Sequence, residues 1–182
     1  MSATYTRLYR NGPYYSYVRD LYEASFPEEE RPPFDFLFDL KDNVLYAVID
    51  QGNPIGLVDL AAYEDLVYVF FLAIDPAYQK KGYGTGALKH VCEWFKTKRI
   101  YLCIEALDIE AANYEQRVRR LAFYQKCGFA PAGERLVEYG VAYDLLTYGG
   151  APVSILDHFA LTKHILGEER AKDYFANASI CK

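Results

Sequence analysis

Apolar and polar positions fall into two periods along this chain. Tyr68 to Ile74 is aromatic and apolar on both faces, as a buried strand is. Asp75-Pro76 ends it, because proline cannot continue a ladder. The turn Gln79-Lys80-Lys81-Gly82-Tyr83-Gly84 follows. Beyond it Leu88, Val91, Cys92 and Phe95 recur at helical spacing, with Lys89, Glu93 and Lys96 elsewhere on the wheel. This strand, turn and helix, Val67 to Lys98, organises the rest.

Thr4 to Leu8 alternates as a first strand does, and Tyr14 to Ser25 has a helical stripe of Tyr14, Val18, Leu21 and Tyr22. Phe34 to Leu40 is expected as a second helix. Val44 to Asp50 and Ile55 to Tyr63 form antiparallel strands around the turn Gln51-Gly52-Asn53-Pro54. Ile100 to Glu105 is the next apolar strand, parallel to Tyr68–Ile74 because a helix connects them. The helix after Asp108 has Val118, Leu121 and Ala122 as its expected buried stripe, with Tyr124 at the stripe's edge. Val137 to Leu146 and Ile155 to Leu161 read as two further strands separated by the turn at Tyr148–Pro152, and Glu168 to Ala176 as a weak closing helix. The sum is an α/β chain with a central mixed, mostly antiparallel sheet of about six or seven strands flanked by helices. Residues 1–182 are expected to form a single domain.

Composition narrows the function little. The chain is 52% hydrophobic and 25% charged, an ordinary globular balance, and its net charge of −5 disfavours general nucleic-acid affinity. Cys92, Cys103, Cys127 and Cys181 form no Cys-x-x-Cys pair, and Cys92 and Cys103 sit in apolar patterns as reduced core residues do. The start has no apolar leader segment and no apolar run reaches membrane-spanning length, so a cytoplasmic location without membrane contact is expected. His90, His158 and His164 have no third ligand at metal spacing, so no metal site is expected. The 18 tyrosines serve packing and surface, or line an acceptor pocket suited to a cationic amine. Glu28-Glu29-Glu30 between prolines is a solvated helix start or an acidic rim that attracts a cation.

The glycine turn carries the chemistry. A helix start presents backbone N–H groups and a partial positive charge, and glycine lets a bulky anion approach. With Lys80 and Lys81 beside it, the expected guest is a phosphate or pyrophosphate; the other reading is a plain strand–helix connection. Gln79-x-x-Gly82-x-Gly84 after Leu72-Ala73-Ile74-Asp75-Pro76 resembles the acyl-CoA signature of the GNAT N-acetyltransferase superfamily. Phe123-Tyr124-Gln125-Lys126-Cys127-Gly128-Phe129 resembles the same family's closing helix. The resemblance covers Tyr5 to Tyr148.

That resemblance implies a GNAT-like fold and acetyl-CoA as co-substrate, with no metal. Backbone N–H groups of the loop Gln79, Lys80, Lys81, Gly82, Tyr83, Gly84, Thr85 and Gly86 would hold the pyrophosphate, chiefly from Lys81 onward. The edge of Leu72, Ala73 and Ile74 would pair with the pantetheine arm. Tyr124 matches the family's general acid. The usual strand Glu is replaced by Phe70, which leaves Glu105 as the leading base, Asp59 second, and a water chain open. The implied reaction is N-acetylation of a small-molecule or peptide amine, with homodimerisation possible by analogy; the alternative is an acyl-CoA-binding module without turnover.

Overall fold

The Pro, Gly and Ser positions that punctuate this pattern set the boundaries of its elements. The structure is a computed structural model that describes residues 3–28 and 31–181. Glu29 and Glu30, the centre of the expected acidic rim, lie outside the described residues. The strands are β1 (Thr4–Arg7), β2 (Asn43–Asp50), β3 (Asn53–Tyr63), β4 (Leu66–Ile74), β5 (Arg99–Glu105), β6 (Phe129–Glu138), β7 (Val141–Tyr148) and β8 (Ala178–Ile180). The helices are α1 (Tyr15–Ser25), α2 (Tyr83–Trp94), α3 (Tyr114–Lys126) and α4 (Ile155–Asn177). The residues fall into two compact units: one runs to Ala62 and takes in Val69–Trp94, the other comprises Tyr63–Tyr68 and everything from Phe95. Among the described residues no helix is long and apolar enough to cross a membrane.

In the first unit the strand order is β1-β2-β3-β4, with β1/β2 and β2/β3 antiparallel. Val18, Leu21 and Tyr22 form the buried face of α1. Tyr22 meets Phe71 of β4 edge-on at 5.0 Å, with Phe26 at 4.8 Å from Phe71 and Phe34 at 5.3 Å from Tyr22. Such aromatic pairs add specific geometry to their area burial. The helix expected over Phe34–Leu40 is a 3-10 helix, Phe34–Asp39, with Phe34 and Leu37 as its buried residues. The Asn43 side-chain amide donates to Leu37 O at 3.0 Å and holds this turn against the start of β2.

In the second unit the order is β4-β5-β7-β6-β8. The parallel ladder of β4 and β5 consists of Leu66–Arg99, Val67–Ile100 and Tyr68–Tyr101, and the other pairs are antiparallel. Two sequence expectations fail here. Val137–Leu146 is not one strand: the chain reverses at Tyr139-Gly140, both in the left-handed region (φ 47 and 84), and divides it between β6 and β7. Ile155–Leu161 is not a strand but the start of α4. Ser154 caps that helix by accepting from Asp157 N, while Asp157 accepts from Ser154 N. This reciprocal cap is a strong helix-start signal. Glu168–Ala176 is the continuation of the same helix, kinked at Gly167. Among the described residues the strands number eight because β8 adds an edge and the β6–β7 reversal divides one segment, while Ile155–Leu161 leaves the sheet.

A buried polar cluster ties α4 to the sheet. His158 Nε2 lies 3.1 Å from Glu138 Oε1, the Tyr174 hydroxyl donates to the same oxygen, and Tyr101 Oη lies 3.2 Å from His158 Nδ1. Glu138 thus holds residues on both sides of the Gly167 kink. Burial by itself would raise the Glu138 carboxyl, but the His158 and Tyr174 contacts outweigh it and hold the group below its ordinary value.

Candidate active site

The glycine turn is built entirely within the first unit. Asp75, at the end of β4, caps the short 3-10 turn Pro76–Tyr78 by accepting from Ala77 N at 2.8 Å, and its second oxygen accepts from the Tyr17 hydroxyl at 2.5 Å. Gln79 then folds its amide back to donate to Ile74 O at 2.9 Å, closing the loop onto the strand end. Lys80 and Gly82 take left-handed backbone angles (φ 61 and 84), and α2 begins at Tyr83. A Cβ at Gly82 would meet nothing within 4 Å, so open space rather than packing surrounds that position. Tyr83 turns inward and its hydroxyl donates to Asp50 at 2.7 Å, anchoring the first turn of α2.

The first N–H groups of a helix have no upstream carbonyl to bond. In α2 that set stops before Gly86, whose N–H donates to Gly82 O at 2.9 Å; the expected cradle from Lys81 to Gly86 is one residue shorter at the backbone. Lys81 sends its ammonium to Ala77 O at 2.9 Å and over the Tyr78 ring at 5.1 Å, so its charge stays beside the loop. A cavity of about 470 Å³ borders this helix start, lined by Lys81, Gly82, Gly86, Lys89, His90 and Tyr5 among others. This arrangement suits a phosphate-bearing ligand.

Leu72, Ala73 and Ile74 form the end of β4, Leu72 half-buried and the other two buried. Their position depends on Gly56 of β3: a Cβ there would lie 2.6 Å from Ala73 O and 2.7 Å from Ile74 Cδ1. Gly56→Ala is therefore expected to cost about 1–3 kcal/mol of stability, read as a lower urea midpoint.

The second unit contains Tyr124 and Glu105. No residue of α3 is fully buried: Val118 and Leu121 are half-buried and Ala122 is exposed, so the expected stripe is shallower than its spacing suggests. Tyr124 is half-buried, packed against Phe123 and Phe129. Desolvation pushes its phenol up to about 12, against the opposing pull of the Arg120 charge. It therefore keeps its proton throughout the neutral range.

Glu105 does not face water as a strand-end charge would; it is 2% exposed. Arg117 Nη2 lies 2.8 Å from one oxygen and Arg120 Nη1 2.5 Å from the other, while Asn113 Nδ2 donates to the first at 2.9 Å. Arg117 also donates to Asn113 Oδ1 at 2.7 Å and to Ala106 O at 2.8 Å. A general base needs an oxygen open to the proton it removes. Both Glu105 oxygens are committed to cationic donors, which is the setting of an anchor between β5 and α3. Asn113 and Arg117 are functional neighbours that the sequence reading missed; their i, i+4 spacing was the available signal.

The model of the acetyltransferase (GNAT) family matches residues 15–129. No curated protein matches the sequence. Among solved structures, a GNAT-family protein from Bacteroides thetaiotaomicron superposes with a TM-score of 0.69 at 23% identity, over 90% of this chain and 95% of that one. A GNAT acetyltransferase from Elizabethkingia anophelis with acetyl-CoA bound gives 0.56 at 18%, over 80% and 97%. The aminoglycoside 6'-N-acetyltransferase of Enterococcus faecium gives 0.59 at 16%, over 83% and 99%.

Proposed function

Because the chain belongs to the acetyltransferase (GNAT) family, we propose that it transfers acetyl from acetyl-CoA to a primary amine of a small molecule or peptide, in the cytoplasm and as a single domain. The observation that carries this reading is the start of α2: a left-handed Gly82 in open space, a strand end closed by Gln79, and a bordering cavity with two lysines. The pyrophosphate of the donor sits on the N–H groups that open the helix, within the loop Gln79–Gly86. The pantetheine amides pair with the Leu72–Ile74 edge, since β4 runs on beyond Tyr68, the last rung of its ladder with β5.

The reaction needs three proton and charge steps. The acceptor ammonium loses a proton to water, because Phe70 stands where the resembled family often has a Glu and Glu105 serves as the α3 anchor. The free amine attacks the thioester carbonyl, and a backbone N–H near Ala73 or Ile74 holds the oxyanion. The carbon–sulfur bond then breaks, the leaving sulfur takes the Tyr124 phenolic proton, which burial holds in place at neutral pH, and the extra proton of the attacking nitrogen is released and restores the phenol. Two copies of the chain form the proposed functional unit, by analogy with the fold.

Release of free CoA from acetyl-CoA over polyamines, aminoglycosides, amino acids, lysine peptides and peptide N-termini tests the proposal. Release above the hydrolysis blank with one amine class is the expected result. Tight acetyl-CoA binding with no stimulation by any amine favours the binding-module reading that Phe70 suggests, and failure to bind acetyl-CoA overturns both.

A further inference from the structure

Two buried acceptor oxygens have no donor among the described residues: Asn43 Oδ1 and Asp59 Oδ2. They belong to one pair. Leu45 is opposite Asp59 in the β2–β3 register, so Asn43 is its diagonal neighbour on the same sheet face. Asn43 Nδ2 donates to Asp59 Oδ1 at 2.8 Å and to Leu37 O at 3.0 Å. That fixes the orientation of the amide, because a reversed amide would turn its oxygen toward two acceptors. The two orphan oxygens are then the remaining halves of an amide and a carboxyl already joined at one point. One proton on Asp59 would satisfy both.

We infer that Asp59 is a neutral carboxylic acid in the folded protein, joined to Asn43 by two reciprocal hydrogen bonds, Asn43 Nδ2–H to Asp59 Oδ1 and Asp59 Oδ2–H to Asn43 Oδ1. Folding of the β2–β3 hairpin and of the Phe34–Asp39 turn that Asn43 holds is thereby coupled to the uptake of a proton.

The surroundings agree. Asp59 is 0% exposed. Among the described residues no cation acts on it; Tyr22 on α1, whose phenol responds to the Asp59 charge, donates its hydroxyl to Pro32 O at 2.9 Å, and Phe71 of β4 packs against the Tyr22 ring. Arg31 lies over the Tyr22 ring at 5.6 Å, and Glu23 is a further charge acting on Tyr22. Burial pushes the Asp59 carboxyl up to about 8, with the Asn43 amide and the Leu60 N–H opposing. An ionised carboxylate with an unpaired oxygen in this setting carries the full cost of burying it. A neutral acid cannot accept a proton from an amine, so Asp59 is also removed as the second candidate base.

The pH dependence has a fixed sign. The folded value lies above that of the unfolded chain, so the contribution of Asp59 to stability is complete below the unfolded carboxyl value and is lost as pH rises toward about 8. In Asp59→Asn the new Nδ2–H replaces the acid proton in the same pair. The urea midpoint of the wild-type protein is expected to fall between about pH 5 and about pH 9, and that of D59N to stay level over the same range. Carbon-13 NMR of the wild-type aspartate carboxyls supplies a measurement that does not depend on the variant's folding. A carboxyl still protonated at neutral pH, and missing from the D59N spectrum if that variant folds, is the expected result. Titration of every folded-state aspartate below about pH 5, or equal slopes for wild type and D59N, overturns the assignment.

Discussion

Tyr124→Phe is expected to lower turnover by about 10²- to 10⁴-fold while acetyl-CoA affinity stays within about twofold of wild type. The ring and its packing against Phe123 and Phe129 survive the substitution, and only the hydroxyl is lost. If the hydroxyl delivers a proton to the departing sulfur, the loss appears in kcat with the amine identified by the panel, and calorimetric binding of acetyl-CoA is unmoved. Because burial holds the phenol near 12, wild-type turnover should show no alkaline limb from Tyr124 below about pH 10. Unchanged turnover in the variant removes Tyr124 from the acid role. A parallel fall in thermal midpoint would instead mark it as a packing residue.

The first unit was the more legible of the two. β2, β3, β4 and α2 announce themselves through long apolar runs bounded by Gly, Pro and Asp, because their burial, turn chemistry and periodicity all agree. The second unit misleads where local and tertiary signals diverge. Ile155–Leu161 is apolar enough for a strand, and the reciprocal cap of Ser154 and Asp157 decides for a helix. The α3 stripe predicts a buried face, yet the helix spends its polar side on Glu105. That ion cluster could not be read from sequence, since its members come from the end of β5, the N-cap of α3 and two later turns of that helix. The sequence singled out Glu105 alone; only the fold brings Asn113 and Arg117 within 3 Å of it and of one another. The same holds for Asn43 and Asp59, which are diagonal partners only in one register.

Glu105→Ala supplies the largest stability effect expected outside the core. The Glu105 side chain is 1% exposed, against 15% for Arg117 and 29% for Arg120. Removing the carboxylate leaves two guanidinium groups beside one another without their shared counter-ion. Breaking a buried pair by deleting one partner typically costs about 3–5 kcal/mol. Arg120 keeps enough contact with water to relieve part of that cost, so the lower end, about 3 kcal/mol, is expected as a fall in the urea midpoint. Glu105→Gln keeps the shape and one acceptor oxygen and should lose less. The two variants also separate anchor from base. An anchor loses stability in both while the acidic limb of the kcat/KM profile stays in place, because no base of the reaction has been removed. A base would leave Glu105→Gln well folded and erase the acidic limb of that profile. Arg120 neighbours both Glu105 and Tyr124, lowering the phenol from where burial alone would put it. Freeing its charge in Glu105→Ala therefore pulls the Tyr124 phenol further down, so a shifted alkaline limb in the surviving activity is the expected mark of that coupling.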